Sequence, residues 1–165
     1  MKIICFSNID GEVRMVLKGD SSLLVNRKPF FIPEWSNDIR MTPCMVFRVS
    51  RLGKNIGAKF AERYYDACAP GANIIAADFV AKGDWTYGFA FDYSLVLGEM
   101  GHMALSDEGL VIGISEAVEK ASSIMTIRQG DLVVIDKAIA SRKLEAEELL
   151  CVEHDGKEIL YCKIK

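Results

Sequence analysis

Short apolar runs broken by turn residues dominate this chain, the pattern of a strand-rich protein rather than a helical one. Residues 2–6 are apolar and β-prone, residues 13–17 alternate, and Asp10-Gly11 between them is a tight-turn pair, so a hairpin is predicted at the start. Residues 22–25 and 30–32 form two further short apolar segments. Pro29 and Pro33 bracket the second and exclude a helix there. Residues 44–49 read as the next strand, and residues 51–55 as the loop that ends it.

Two helices are predicted. Phe60, Tyr64 and Ala67 fall on one face, which predicts a helix over residues 57–69 stopped by Pro70-Gly71. Residues 115–126 predict a second helix, with Ser115 as N-cap and Glu116 and Glu119 in its opening turns. Strands are expected at 73–80, 89–97 and, after the Gln129-Gly130-Asp131 turn, 132–135. A terminal hairpin is expected from 149–153 and 159–164 around Asp155-Gly156. Strands separated by two helices predict an α+β fold, and the length of 165 residues suits a single domain spanning 1–165.

Composition narrows the function classes. The chain is 50% hydrophobic and 26% charged, an ordinary globular balance. Its 20 basic and 23 acidic residues give a net charge of -3, so electrostatics makes no case for nucleic acid or an anionic membrane as partner. No apolar run reaches the roughly 20 residues that span a bilayer, and residues 1–5 open directly into a strand pattern with no leader-like apolar stretch after it. A cytoplasmic protein is expected. Cys5, Cys44, Cys68, Cys151 and Cys162 are odd in number, match no zinc or redox spacing, and read as buried free thiols.

Four blocks, in order, carry a resemblance. They are Pro29-Phe30-Phe31-Ile32-Pro33-Glu34-Trp35-Ser36-Asn37-Asp38-Ile39, the segment from Phe91-Asp92 to Leu95–Gly98, Gln129-Gly130-Asp131-Leu132-Val133, and the closing stretch 159–165. Together they resemble the fumarylacetoacetate hydrolase superfamily over nearly the whole chain. That resemblance implies a mixed β-sheet roll or barrel-like core of the family's C-terminal domain type. It also implies enzymes acting on 2-oxo acids and 1,3-diketones through Mg²⁺ or Mn²⁺. The metal is held by a Glu-X-Glu pair and an Asp, because hard cations need charged oxygen ligands. A His–Glu pair on a lid helix activates water.

Carried over residue by residue, that chemistry is missing. The Glu-X-Glu pair falls on Thr42-Pro43-Cys44, the His ahead of it on Arg40, and the third ligand on Asn73. The substrate-side Arg becomes Ala77, while the following Asp remains as Asp78. The active-site Lys becomes Phe89, and the Thr-Gly-Thr-Pro loop falls on Ile135-Asp136-Lys137-Ala138. The lid helix has no room between Cys5 and Lys18, where Asp10-Gly11 makes a turn, so it is expected to be deleted.

Lys18 and Lys54 each read either as a solvated lysine or as a retained anion contact. Glu99 and His102, three apart between glycines, read as a surface loop, and His154 as an exposed residue before a turn. Cys44 reads as a buried structural thiol. The expectation is a non-catalytic family member without metal, serving as a binding module or scaffold, and dimeric or paired with an intact relative. The alternative is an enzyme on a 2-oxo acid-like substrate with a rebuilt site.

Overall fold

The computed structural model describes residues 1–25, 27–101 and 108–165. Two local turns set its frame. Strands β1 (Ile3–Ile9) and β2 (Glu12–Lys18) pair antiparallel through Asp10 and Gly11, both at positive φ. Strands β9 (Leu149–His154) and β10 (Lys157–Lys163) pair in the same way through Asp155 and Gly156. Positive φ at both central positions matches the right-handed twist of the flanking strands, which is why Asp-Gly pairs occupy both turns.

Between the hairpins lie β3 (Leu23–Val25), β4 (Ile39–Val49), β5 (Tyr65–Ala76), α1 (Ala77–Ala81), α2 (Trp85–Phe89), β6 (Leu95–Leu97), α3 (Ile114–Ile124), β7 (Leu132–Asp136) and β8 (Arg142–Lys143). Among the described residues one mixed sheet runs in the order β2-β1-β7-β4-β5-β6-β3, with β8 also against β4. The β1–β7 and β3–β6 pairs are parallel, and the remaining pairs of this sheet are antiparallel.

The alternation of side chains along each strand divides this sheet into two faces. Ile4, Phe6, Phe47, Val133 and Ile135 pack under α3, which offers Ala117, Val118 and Ala121. Farther along, Ile74, Met41 and Val96 pack with Leu150 and Leu160 of the β9–β10 hairpin. The other face collects Ile3, Cys5, Cys44, Val46, Phe89, Leu95 and Val134. This second face carries the candidate site.

Several sequence expectations shift. The helix expected over 57–69 is a 3-10 turn, Ala58–Tyr64, and residues 65–69 begin β5. Pro70 and Gly71 therefore lie inside a strand instead of ending a helix. The missing N–H of Pro70 costs no ladder bond, because its carbonyl takes the Gly98 N–H just past the end of β6, and a strand residue's N–H and C=O point the same way. Pro43 is tolerated similarly: its carbonyl accepts the Lys137 N–H just beyond β7.

The expected strand 73–80 ends at Ala76 and gives way to α1, and the expected strand 89–97 is reduced to β6 after the short helix α2. The second helix starts one residue early, so Gly113 is its N-cap and Ser115 lies within its first turn. Trp35 anchors the proline-flanked segment by meeting Phe79, Tyr87 and Phe91 edge-on at 5.5, 6.1 and 5.3 Å.

Candidate active site

Strand register brings together the positions where the resemblance sets metal ligands. Thr42 pairs directly with Asn73 across β4 and β5, and Cys44 pairs with Asp136 on one side and Gly71 on the other. Residues directly opposite share a face, so all of these point to the side that Cys5, Lys18 and Phe89 also occupy. Gly71 is required there. A Cβ at that position would sit 2.9 Å from the Cys44 sulfur and 2.9 Å from Val46 Cγ2.

A cavity of about 440 Å³ opens over this face. Its floor and walls include Ser7, Thr42, Ile75, Phe89 and Asp136, and Asp10 and Lys137–Ser141 complete its lining. Asp136 is the one deeply buried carboxylate in that lining, at 4% exposure. Its oxygens accept from Asn73 Nδ2 at 2.9 and 3.1 Å and from the Ser7 hydroxyl, and Asn73 Nδ2 also reaches Ser7 Oγ at 3.1 Å. Burial raises its carboxyl to about 6, while the Ser7 and Asn73 hydrogen bonds and the Lys18 charge pull the other way.

Lys18 is not a solvated lysine. It is 3% exposed, and its ammonium donates to the carbonyls of Ile74 at 2.9 Å and Ser94 at 2.7 Å. Burial lowers it to about 8, opposed by the nearby Cys5, Asp136 and Cys44 groups. Cys5 is raised to about 12 by burial, and Cys44 is pushed well above the usual thiol range by burial with Asp136 and Cys5 adding. Neither is a thiolate near neutral pH.

Other singled-out residues lie away from this cluster. Lys54 donates to the Ser123 carbonyl near the end of α3 and does not line the cavity. Ala77 opens α1 and is half-buried outside the lining. Asp78 takes Ser36 Oγ at 2.6 Å and the Asn37 N–H at 3.2 Å, fixing the segment ahead of β4. Arg40 pairs with Asp38, and Glu99 pairs with Lys157 at 2.6 Å. His154 is exposed beside Asp155, and His102 lies outside the described residues. Cys151 departs from the buried-thiol expectation and is exposed.

Sequence reasoning missed Asp136, which stands where the resemblance placed an uncharged loop. The available signal was an aspartate ending an apolar run, Leu132-Val133-Val134-Ile135-Asp136, where period-2 alternation puts it on the same face as Leu132 and Val134.

No family model and no curated protein matches this sequence. Solved structures do match its fold. A 5-carboxymethyl-2-hydroxymuconate delta-isomerase from Mycobacterium smegmatis superposes with a TM-score of 0.85 at 15% identity, over 99% of this chain and 78% of that one. A 2-hydroxyhepta-2,4-diene-1,7-dioate isomerase from Mycobacterium marinum gives 0.86 at 17%, over 99% and 73%. A fumarylpyruvate hydrolase from Pseudomonas aeruginosa, in complex with Mn²⁺ and pyruvate, gives 0.85 at 17%, over 99% and 89%. These are proteins of the fumarylacetoacetate hydrolase family, and at such identities what the chain shares with them is the fold.

Proposed function

We propose that this chain is a fumarylacetoacetate hydrolase-family protein that has given up metal-dependent catalysis and binds a small molecule in the cavity above Asp136. One observation carries the reading. The three positions where the resemblance places carboxylate ligands are Thr42, Cys44 and Asn73, and their polar atoms are neutral or engaged inward. Asn73 spends both amide N–H donors on Asp136 and Ser7 and offers only a neutral oxygen, and Cys44 holds a buried, protonated thiol over Gly71.

Such a set does not fit a hard divalent cation, which needs several charged oxygens at once. Asp136 alone supplies one carboxylate, and among the described residues no group of three or more His, Cys, Asp or Glu side chains is arranged to hold a metal ion. The residues left over the cavity hold and orient rather than activate water. In place of a lid between Cys5 and Lys18 stands the β1–β2 hairpin, which supports the proposed deletion.

Calorimetric titration with Mg²⁺ and Mn²⁺ tests this. No site-specific binding at millimolar metal is expected, and no acylpyruvate hydrolysis or oxaloacetate decarboxylation above the metal-only background. Submillimolar binding that Asn73→Ala abolishes would overturn it.

A second reading has its own support. A carboxyl raised to about 6 on a cavity floor suits general acid–base catalysis, so a rebuilt enzyme on a 2-oxo acid-like substrate would use Asp136. Turnover abolished by Asp136→Asn, with fold intact, would select it over the binding reading.

We also propose a homodimer, or a pair with an intact relative. Strand β2 forms one end of the sheet order and exposes Val13 and Leu17, and Phe31 and Ile124 are exposed at 67% and 69%. Light scattering after size exclusion should give twice the 18.3 kDa chain mass; a clean monomer that forms no complex on mixing with an intact relative would reject the idea. Among the described residues no helix is long and apolar enough to cross a membrane.

A further inference from the structure

The hydrogen-bond capacity left at the cavity floor identifies the kind of ligand the cavity takes. A primary amide has two N–H donors and one acceptor oxygen. Both donors of Asn73 are spent, one on Ser7 Oγ at 3.1 Å and one on the Asp136 carboxylate at 2.9 Å. The Ser7 hydroxyl is spent on Asp136 as well. Lys18 sits outside the cavity lining and aims its ammonium at the Ile74 and Ser94 carbonyls.

At the buried floor what remains is acceptor capacity, while the lining's cation, Lys137, is exposed at the rim. Asp136 lines the cavity and, as a carboxylate, has lone-pair sites beyond those that Asn73 and Ser7 fill. Behind the lining, the Asn73 Oδ1 oxygen is fully buried and has no partner among the described residues, so Asn73 offers the cavity no donor. Lone pairs of the buried Asp136 carboxylate left without donors are costly, and a ligand that supplies N–H groups relieves that cost. A carboxylate ligand would instead bring a like charge against Asp136 in a poorly solvated site.

Resting on the binding reading above, we infer that the cavity takes a small N–H donor, an amine, amidine or primary amide, with Asp136 as its principal acceptor. Thr42 on the wall supplies a hydroxyl able to serve either role. This reverses the ligand polarity expected of a metal-centred site, in which a cation draws in carboxylate and oxo groups. The Ser7–Asp136–Asn73 network presets the acceptor, so the ligand need not reorganise it.

Two-dimensional amide NMR on the full chain tests the inference. The probes are methylammonium, acetamidinium and acetamide, set against acetate and pyruvate, each with and without Mg²⁺. Saturable shifts at the Thr42, Phe89 and Asp136 amides are expected with the N–H donors and not with the carboxylates. Asp136→Asn should weaken the bound probe by roughly tenfold, about the loss of one charge-assisted hydrogen bond.

If that variant does not fold, the wild-type comparison of donors against carboxylates decides alone. Metal-free binding of acetate or pyruvate with the N–H donors silent would overturn the inference and leave the metal-free binding reading standing. Carboxylate binding that requires Mg²⁺ would overturn both. Silence from every probe would overturn the inference.

Discussion

Asn73 Nδ2 donates to the Asp136 carboxylate at 2.9 Å, joining β5 to β7 across the intervening β4 although the residues lie 63 positions apart. Asn73 is fully buried and Asp136 nearly so. This bond orients the only deeply buried carboxylate of the cavity lining. Together with the bond to Ser7 Oγ it engages the Asn73 amide nitrogen and fixes the orientation of that amide.

The Asp136 carboxyl is raised from 3.8 to about 6, so between those values the folded chain holds a proton that the unfolded chain has lost. Stability conferred by this group is therefore greatest in acid and falls as pH rises through the window, by on the order of 3 kcal/mol. Asp136→Asn should remove that slope. Urea midpoints measured from about pH 4 to pH 7 would show it, and an unchanged slope in the variant would assign the pH dependence elsewhere.

Lys18 titrates in the opposite sense. Its folded value of about 8 lies below the ordinary 10.5, so stability from this group rises as pH climbs from about 8 towards 10.5. Lys18→Met should abolish that rise. It should also lift the Asp136 midpoint above about 6, because the Lys18 charge is one of the influences holding it down. Carbon-13 titration of the Asp136 carboxyl reads this directly, and an unmoved midpoint would mean the two groups are uncoupled.

Thiol labelling should be selective. Cys151 is exposed, whereas Cys5, Cys44, Cys68 and Cys162 are buried. An aromatic disulfide reagent is expected to modify one thiol in the native chain and five after unfolding. Rapid native modification of Cys44 would contradict the closed packing of its sulfur over Gly71.

Restoring the ligands should not restore the family's chemistry. Thr42→Glu, Cys44→Glu and Asn73→Asp together place three carboxylates at positions that are 8%, 2% and 0% exposed, next to Asp136. Crowded buried like charges are destabilising, so the triple variant should melt well below the natural chain without metal and recover on adding Mn²⁺. Hydrolysis should stay at background, because the resemblance sets Phe89 where the family has its active-site lysine and the triple variant adds no lid base. A variant as stable as the parent in the absence of metal would show that the site is wetter than its burial indicates.

Gly98 offers a control for packing near the sheet end. A Cβ there would meet the Ile159 carbonyl at 2.6 Å and the Pro70 carbonyl at 2.8 Å, both backbone atoms with little freedom to move. Gly98→Ala should cost about 1–3 kcal/mol in chemical unfolding, and a neutral effect would imply that β6 and β10 can slide apart.

The sequence by itself determined the features whose causes are local. Both Asp-Gly hairpins and the amphipathic helix α3 are written in neighbouring residues: a turn pair tolerant of positive φ, and apolar spacing near four. The pairing of Thr42 with Asn73 was foreshadowed by the family resemblance, which placed both at ligand positions. Tertiary structure alone decided the rest. Residues 57–69 carry helical spacing, yet 65–69 pair antiparallel with β4 and the small Ala67, Cys68 and Ala69 are buried there, so strand pairing overrides propensity. A lysine before a glycine looks solvated in one dimension. It becomes a buried cation only because Ile74 and Ser94, 56 and 76 residues away, bring their carbonyls to it. Asp136 acquires its raised carboxyl in the same way, from burial under elements that no local pattern brings together.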